Sequence, residues 1–228
     1  MRCIVCHVTR MREGAICVAG IDPETGKHVR PLTPAYQKLD RSALRRNGGP
    51  FGLGVVVDLG RVEDVGAPPE IEDRRVNLRS VRVVGTMPPP EFWSLLMDSS
   101  CWSLSEVFGP ALTFAGGRAF CEEGEGAASL GLILPGEPPC LRVDDRGAVR
   151  IALRCGGGAL DLSVTDIRLY DDQDALKPDV LAEAGRRLDG GERLVLAVGL
   201  TRPFAPKTGG PARHWLQVNG LHFEDGRL

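Results

Sequence analysis

Short apolar runs rich in Val, Ile and Leu, separated by Gly, Pro and Asp, recur from one end of the chain to the other. That pattern predicts many brief strands joined by tight turns rather than a helical bundle. Residues 2–8 and 15–21 flank Arg10-Met11-Arg12-Glu13-Gly14 and read as a hairpin. Asp22-Pro23-Glu24-Thr25-Gly26 supplies turn chemistry before a third strand near 28–32. Thr33-Pro34, an N-cap residue followed by proline at the first helical position, predicts a basic helix carrying Tyr36, Leu39 and Leu44 and ending at Asn47-Gly48. Strand character returns at 54–60 and 77–85, which completes a first small barrel over residues 1–88.

Met87-Pro88-Pro89-Pro90 cannot continue a central ladder and marks a boundary. A short helix over 91–97 and an irregular stretch over 98–128 make residues 89–128 a connector. Strand signals resume at 129–134, 140–143, 149–154 and 160–164, with Asp144-Asp145-Arg146-Gly147 and Gly156-Gly157-Gly158 as hairpin turns. The clearest helix spans 176–188, with Val180, Leu181, Ala184 and Leu188 on one face, Arg186 and Arg187 in its last turn, and Gly190 as terminator. Strands over 193–200 and 214–223 close a second barrel, residues 129–228. The fold class is therefore mainly β, two small barrels with a few short helices.

Length permits this: 228 residues accommodate one large β domain or two compact ones. The apolar opening segment is too short for a signal sequence, and no apolar run approaches the roughly 20 residues that span a bilayer. The expectation is a cytoplasmic protein with no membrane partner, whose seven cysteines are reduced thiols in small core sites. A net charge of −2 argues against coating duplex nucleic acid by charge alone. The distribution is more telling. Residues 1–85 hold 14 Lys/Arg against 10 Asp/Glu, residues 86–192 hold 9 against 18, and residues 193–228 hold 5 against 2. Two basic ends flank an acidic middle, so a local positive surface can arise where the ends meet.

With the strands placed, several segments together resemble the bacterial dual OB domain family. Cys3-Ile4-Val5-Cys6, Ala15-Ile16-Cys17-Val18-Ala19-Gly20-Ile21 and Val29-Arg30-Pro31-Leu32-Thr33 resemble its opening strands, and Val57-Asp58-Leu59 and Val76-Asn77-Leu78 give further short matches. Leu160-Asp161-Leu162-Ser163-Val164-Thr165-Asp166 resembles a later strand end. Gly199-Leu200-Thr201-Arg202-Pro203-Phe204 and Arg213-His214-Trp215-Leu216-Gln217-Val218 resemble the closing pair. The resemblance implies that both barrels are OB-like, with a nucleic-acid or nucleotide-linked binding role and no established catalytic residues.

Several motifs invite chemistry. Cys3-Ile4-Val5-Cys6-His7 spells a haem-attachment pattern, but alternation along a strand points Cys3 and Cys6 to opposite faces, so buried thiols are expected and no metal or cofactor. The stretch from Gly20 to Thr25-Gly26-Lys27 lacks the spacing of a phosphate loop and reads as a turn. The acidic runs Glu122, Glu123, Glu125 and Asp171, Asp172, Asp174 have no companion histidine and read as solvated loops. Asp58 and Asp166 end strands, where carboxylates commonly accept backbone amides. No catalytic group emerges.

What remains is a basic and aromatic set. Arg12, Lys27, Arg30, Arg45 and Arg46, with Arg202 and Arg213 from the other end, are candidates to neutralise phosphates; Tyr36 and Trp215 are candidates to stack on bases. The leading expectation is non-enzymatic binding of single-stranded or structured DNA or RNA. A protein-interaction or nucleotide-sensing module is the alternative, with a protein partner in place of nucleic acid, and a metal-dependent nuclease the weaker one.

Overall fold

The expected N-terminal hairpin seeds the first sheet. The computed structural model describes residues 1–34, 38–155, 158–206 and 209–228. Strand β1 (Arg2–Arg10) pairs antiparallel with β2 (Ala15–Ile21), from Ile4 opposite Ile21 to Arg10 opposite Ile16. The pairing jumps from Val5–Gly20 to His7–Ala19, so Cys6 is an extra residue, a β-bulge. The bulge inverts the strand's parity. Cys3, Val5 and Val8 enter one core, whereas Ile4 and Cys6 enter another.

Around this pair stand β3 (His28–Leu32), β4 (Leu39–Asp40), β5 (Val55–Asp58), β6 (Val62–Asp64), β7 (Asp73–Val76) and β8 (Arg82–Thr86). Among the described residues they form an eight-stranded sheet ordered β6-β7-β3-β2-β1-β5-β8, with β4 on β2 and a parallel contact between β3 and β7. One core lies inside its curl, around Phe51, Val57, Leu59 and Val18.

Helix α1 (Pro89–Asp98) follows, started by the proline cluster. After it come β9 (Ser100–Cys101), α2 (Leu104–Phe108), β10 (Thr113–Ala115), β11 (Arg118–Glu122), β12 (Leu130–Ile133), β13 (Cys140–Val143), β14 (Val149–Cys155), β15 (Gly158–Ser163), α3 (Pro178–Asp189), β16 (Leu194–Leu200) and β17 (Arg213–Phe223). A six-stranded sheet ordered β10-β11-β17-β16-β12-β9 faces a three-stranded sheet β13-β14-β15. Phe108, Ile151, Leu162, Leu196, Val218 and Phe223 fill the space between, closed at one end by Ala184 and Leu188 of α3. Among the described residues the result is two curled half-barrel sheets with three α-helices, consistent with a dual OB arrangement.

A third cluster ties the halves together. Ile4, Cys6 and Ile21 from the first sheet, Phe92, Trp93 and Leu96 from α1, and Leu132, Val195 and Ala197 from the second sheet pack as one group. The backbone crosses the seam as well: Arg10 N donates to Thr165 O at 2.8 Å, and Thr9 forms a β-bridge with Asp166.

Two expectations fail. No α-helix occupies the described part of 33–48; β4 and two single 3-10 turns at 41–43 and 45–47 stand there instead. Asp40 Oδ1 accepts the Ser42 amide at 2.8 Å, and Arg41 is buried against Asp172 and Asp174, so long-range pairing overrides helical spacing. The stretch 98–128 is not irregular: it supplies β9, α2, β10 and β11 to the second unit. The cause is Gly116-Gly117, whose φ values of 58° and 72° make a two-residue hairpin between Ala115 and Arg118.

Candidate functional site

The two basic chain ends do meet, but on carboxylates. Arg30 of β3 is 5% exposed, and its Nε donates to Asp73 Oδ1 at 2.5 Å. Arg202, just beyond β16, donates from Nη2 to the other oxygen of Asp73 at 2.6 Å and pairs with Glu70 at 3.2 Å. His214 Nδ1 lies 2.9 Å from Thr201 O and 3.4 Å from Glu70. Alongside, buried Glu72 accepts from Ser129 N, Ser129 Oγ and Leu130 N at 2.8–3.0 Å. This clamp joins β3 and β7 to the second unit. A second set joins the same halves: Arg46 Nη2 donates to Asp172 at 2.7 Å, Arg41 pairs with Asp172 and Asp174, and the Arg10 guanidinium lies 4.1 Å from the Tyr170 ring centre.

The other predicted residues scatter. Arg12, Lys27 and Arg45 are exposed and have no side-chain partner among the described residues. Arg213 is half-buried, pairs with Glu122 at 3.0 Å and lies 3.9 Å over the Phe120 ring. Tyr36 lies outside the described residues. Asp58 and Asp166 do what strand-end carboxylates commonly do. Asp58 Oδ1 accepts Gly60 N at 2.8 Å; Asp166, fully buried, accepts Arg168 N and Leu221 N at 3.0 Å. Although burial opposes it, the Arg168 guanidinium and these amides hold the Asp166 carboxyl below its ordinary range.

Trp215 is the exception, because it sits beside an open face. A cavity of about 590 Å³ opens on the second unit between the turn before α2, the β10–β11 hairpin, the end of β12 and the β14–β15 hairpin. Buried Leu104, Ile133, Leu153 and Leu160 form its floor. Its rim carries Trp102, 74% exposed, Phe114, 46% exposed, and the guanidinium groups of Arg118 and Arg154. Arg118 also borders a second cavity of about 210 Å³ lined by Trp215, Phe204 and Pro206. Its guanidinium lies 5.7 Å from the Trp215 ring, and Phe204, 49% exposed, has its ring centre 6.3 Å from that of Trp215. The face therefore runs through three exposed rings, one half-buried ring and two cations. Arg154 meets Glu137 at 3.6 Å with both side chains mostly exposed, a pairing worth about 0–1 kcal/mol.

Local chemistry fixes the exposed rings. Ser103 Oγ accepts the Glu106 amide at 3.2 Å, while the Glu106 carboxylate accepts Ser103 Oγ and the Trp102 amide at 2.9 and 3.2 Å, a variant capping box that holds Trp102 at the mouth. The Gly116-Gly117 turn presents Phe114 and Arg118 on the same rim. Both signals, Ser-x-x-Glu and Gly-Gly between apolar runs, are present in the sequence and would have found this site.

The buried Cys/His groups form a separate cluster. The Cys6 thiol and the His7 and His28 rings each offer an atom within 4.8 Å of the others. Burial pushes the Cys6 thiol up and both imidazoles down, His28 to about 4, so the rings are neutral at pH 7.

No helix among the described residues is long and apolar enough to cross a membrane. A family model described as a dual OB-containing domain matches residues 1–221. No curated protein matches the chain. One similar solved structure is a murine DNA-binding protein bound with double-stranded DNA: 9% identity, 96% of this chain and 97% of that one covered, TM-score 0.32. A likeness that slight carries no argument about ligand.

Proposed function

The chain belongs to the dual OB-containing domain family, and from that premise we propose that it binds single-stranded nucleic acid on the ring-lined face of its second unit. One observation carries the reading. Trp102, Phe114 and Phe204 stay exposed beside the otherwise lightly committed cations Arg118 and Arg154, on a concave β surface with an apolar floor. Isolated exposed apolar residues need no explanation, but several rings around one groove do. OB-type grooves hold single strands by stacking bases on such rings while cations follow the backbone. Duplex does not fit, because paired bases offer no free faces to these rings.

Trp215 belongs to this surface. Arg12, Lys27 and Arg45 are free to add phosphate contacts from the first unit, whereas Arg213, paired with Glu122 and lying over the Phe120 ring, lines neither cavity. Arg46 and Arg202 act chiefly as joints between the units, bound to Asp172 and Asp73, while Arg30 holds Asp73 in place within the first unit.

Fluorescence-anisotropy titrations of single-stranded DNA, single-stranded RNA and duplex at several salt concentrations test the reading. Each stack contributes about 1–3 kcal/mol, so Trp102→Ala is expected to weaken single-strand binding by about 5- to 150-fold. No binding at low salt, or binding unaffected by Trp102→Ala and Phe114→Ala, removes the proposal.

A further inference from the structure

Consecutive residues of a strand point to opposite faces, so Cys6 and His7 should not cooperate. The bulge at Cys6 removes that alternation: Ile4 and Cys6 belong to the seam cluster, and His7, one residue on, turns its ring towards the same place. His28 arrives from the far side of β2. It pairs with Ile21, another seam residue, and its ring centre is 5.2 Å from that of His7, edge to face. Ala19, opposite His7, offers only a methyl group there, which leaves space for both rings.

Polar satisfaction points to a ligand. His7 is 1% exposed, yet neither of its ring nitrogens has a hydrogen-bond partner among the described residues, and His28 Nε2 is likewise buried without one. A buried polar atom left without a partner is costly, and each such atom in a native structure calls for an explanation. Two such rings pointing at a buried thiol describe a missing electrophile better than an apolar core. By contrast, His222, also buried at the seam, is satisfied: its Nε2 and Cys6 O are 2.9 Å apart, a bond that braces the bulge.

We propose that Cys6 Sγ, His7 and His28 bind one zinc-class transition-metal ion at the seam between the two units. Thiolate and neutral imidazole are the donors that such ions prefer over carboxylate, and among the described residues no carboxylate belongs to the cluster. Tetrahedral zinc with Zn–S of about 2.3 Å and Zn–N of about 2.0 Å sets its donor atoms roughly 3.3–3.6 Å apart. Atoms within 4.8 Å of one another reach that spacing by side-chain rotation. On binding, the Cys6 S–H bond breaks, its electron pair forms the S–metal bond, and the proton leaves to solvent. An ion here cross-links β1 to β3 over β2, distant in role from the ring-lined face, so this proposal and the binding reading stand or fall separately.

Co²⁺ titration of the full, chelator-treated chain is the test, read by the thiolate-to-cobalt charge-transfer band and by the thermal midpoint. The expected result is a band that saturates at one equivalent and a raised midpoint, competed away by Zn²⁺. Cys6→Ser abolishes the band, whereas Cys140→Ser, which removes an exposed thiol, leaves it unchanged. His28→Gln weakens Co²⁺ binding by at least about the tenfold that loss of even an outer-shell partner produces. Far-UV circular dichroism checks that each variant folds; if Cys6→Ser does not, His28→Gln decides. Absence of a stoichiometric band, its persistence in folded Cys6→Ser, its loss in Cys140→Ser, or unchanged affinity in His28→Gln overturns the assignment.

Discussion

Asp73→Asn should be the most informative single change in the first unit. Asp73 and Arg30 are 5% and 6% exposed at the side chain and 2.5 Å apart, so removing the negative partner leaves a buried guanidinium without its hydrogen-bonded counter-ion and only the field of Glu72 to offset it. Breaking a buried pair in this way costs about 3–5 kcal/mol, whereas the half-exposed contact to Arg202 adds about 0–1 kcal/mol. Against a typical total stability of about 5–15 kcal/mol, this is a large fraction. In urea, with m near 2 kcal/mol/M, the midpoint should fall by about 1.5–2.5 M. Replacing both partners by apolar residues, Asp73→Leu with Arg30→Met, should recover much of the loss because no charge is then stranded. A midpoint shift below about 0.5 M for Asp73→Asn, or a double variant worse than the single one, would refute the clamp. Arg202→Gln separates the clamp from a phosphate contact: the clamp predicts lower stability and an unchanged salt dependence of nucleic-acid binding.

Acid should loosen the seam. Burial lowers His28 and His222 to about 4 from an ordinary 6.5, so the unfolded chain binds protons that the native state refuses; the stability is whole above about pH 6.5 and is lost as pH falls towards 4. The shift is worth about 3 kcal/mol per imidazole, His7 adds in the same direction, and urea melts of metal-free protein that stay flat between pH 7 and 5 would contradict it. Gly20→Ala should destabilise by about 3 kcal/mol or more, because a Cβ there would sit 2.2 Å from Ile4 O and 2.6 Å from Cys3 Sγ, both fixed; a thermal midpoint equal to that of the parent chain would contradict the register of β1 on β2.

The strands of the two barrels were legible because their apolar runs are short and bounded by turn residues, from the β1–β2 hairpin to the closing β16–β17 pair. The segment around Arg41 was not. Its helical spacing of Leu39, Leu44 and basic residues is real, but the partners that decide its shape, Asp172 and Asp174, lie about 130 positions away. Sequence separation also hid the fate of Arg30 and Arg202, 43 and 129 positions from Asp73: charge counting brought the two ends together correctly but could not show that Asp73 waits between them. The Cys6–His7–His28 cluster was invisible for a local reason. Strict alternation separates neighbours, and no residue type announces a bulge. The exposed rings on the second unit were within reach, since Ser103-x-x-Glu106 and Gly116-Gly117 both have recognisable turn chemistry.

The ion pairs also constrain how any polynucleotide could be held. Much of the basic charge is neutralised across the seam and within the sheets: Arg41 and Arg46 by Asp172 of the acidic middle, and Arg30, Arg202, Arg74 and Arg75 by Asp73, Asp64 and Glu63 of the N-terminal segment itself. On the ring-lined face only Arg118 and Arg154 remain lightly committed among the described residues. Two neutralised phosphates on a single strand give a salt slope of about −1.4, while three exposed rings at about 1–3 kcal/mol each dominate the free energy. Binding should therefore weaken only gently with salt. Trp102→Ala should lower affinity at every salt concentration without changing the slope, and Arg118→Ala should reduce the slope by about 0.7. A slope steeper than about −3 would mean that cations elsewhere, Arg12, Lys27 and Arg45 among them, carry the interaction, and the stacking face would lose its place at the centre of the reading.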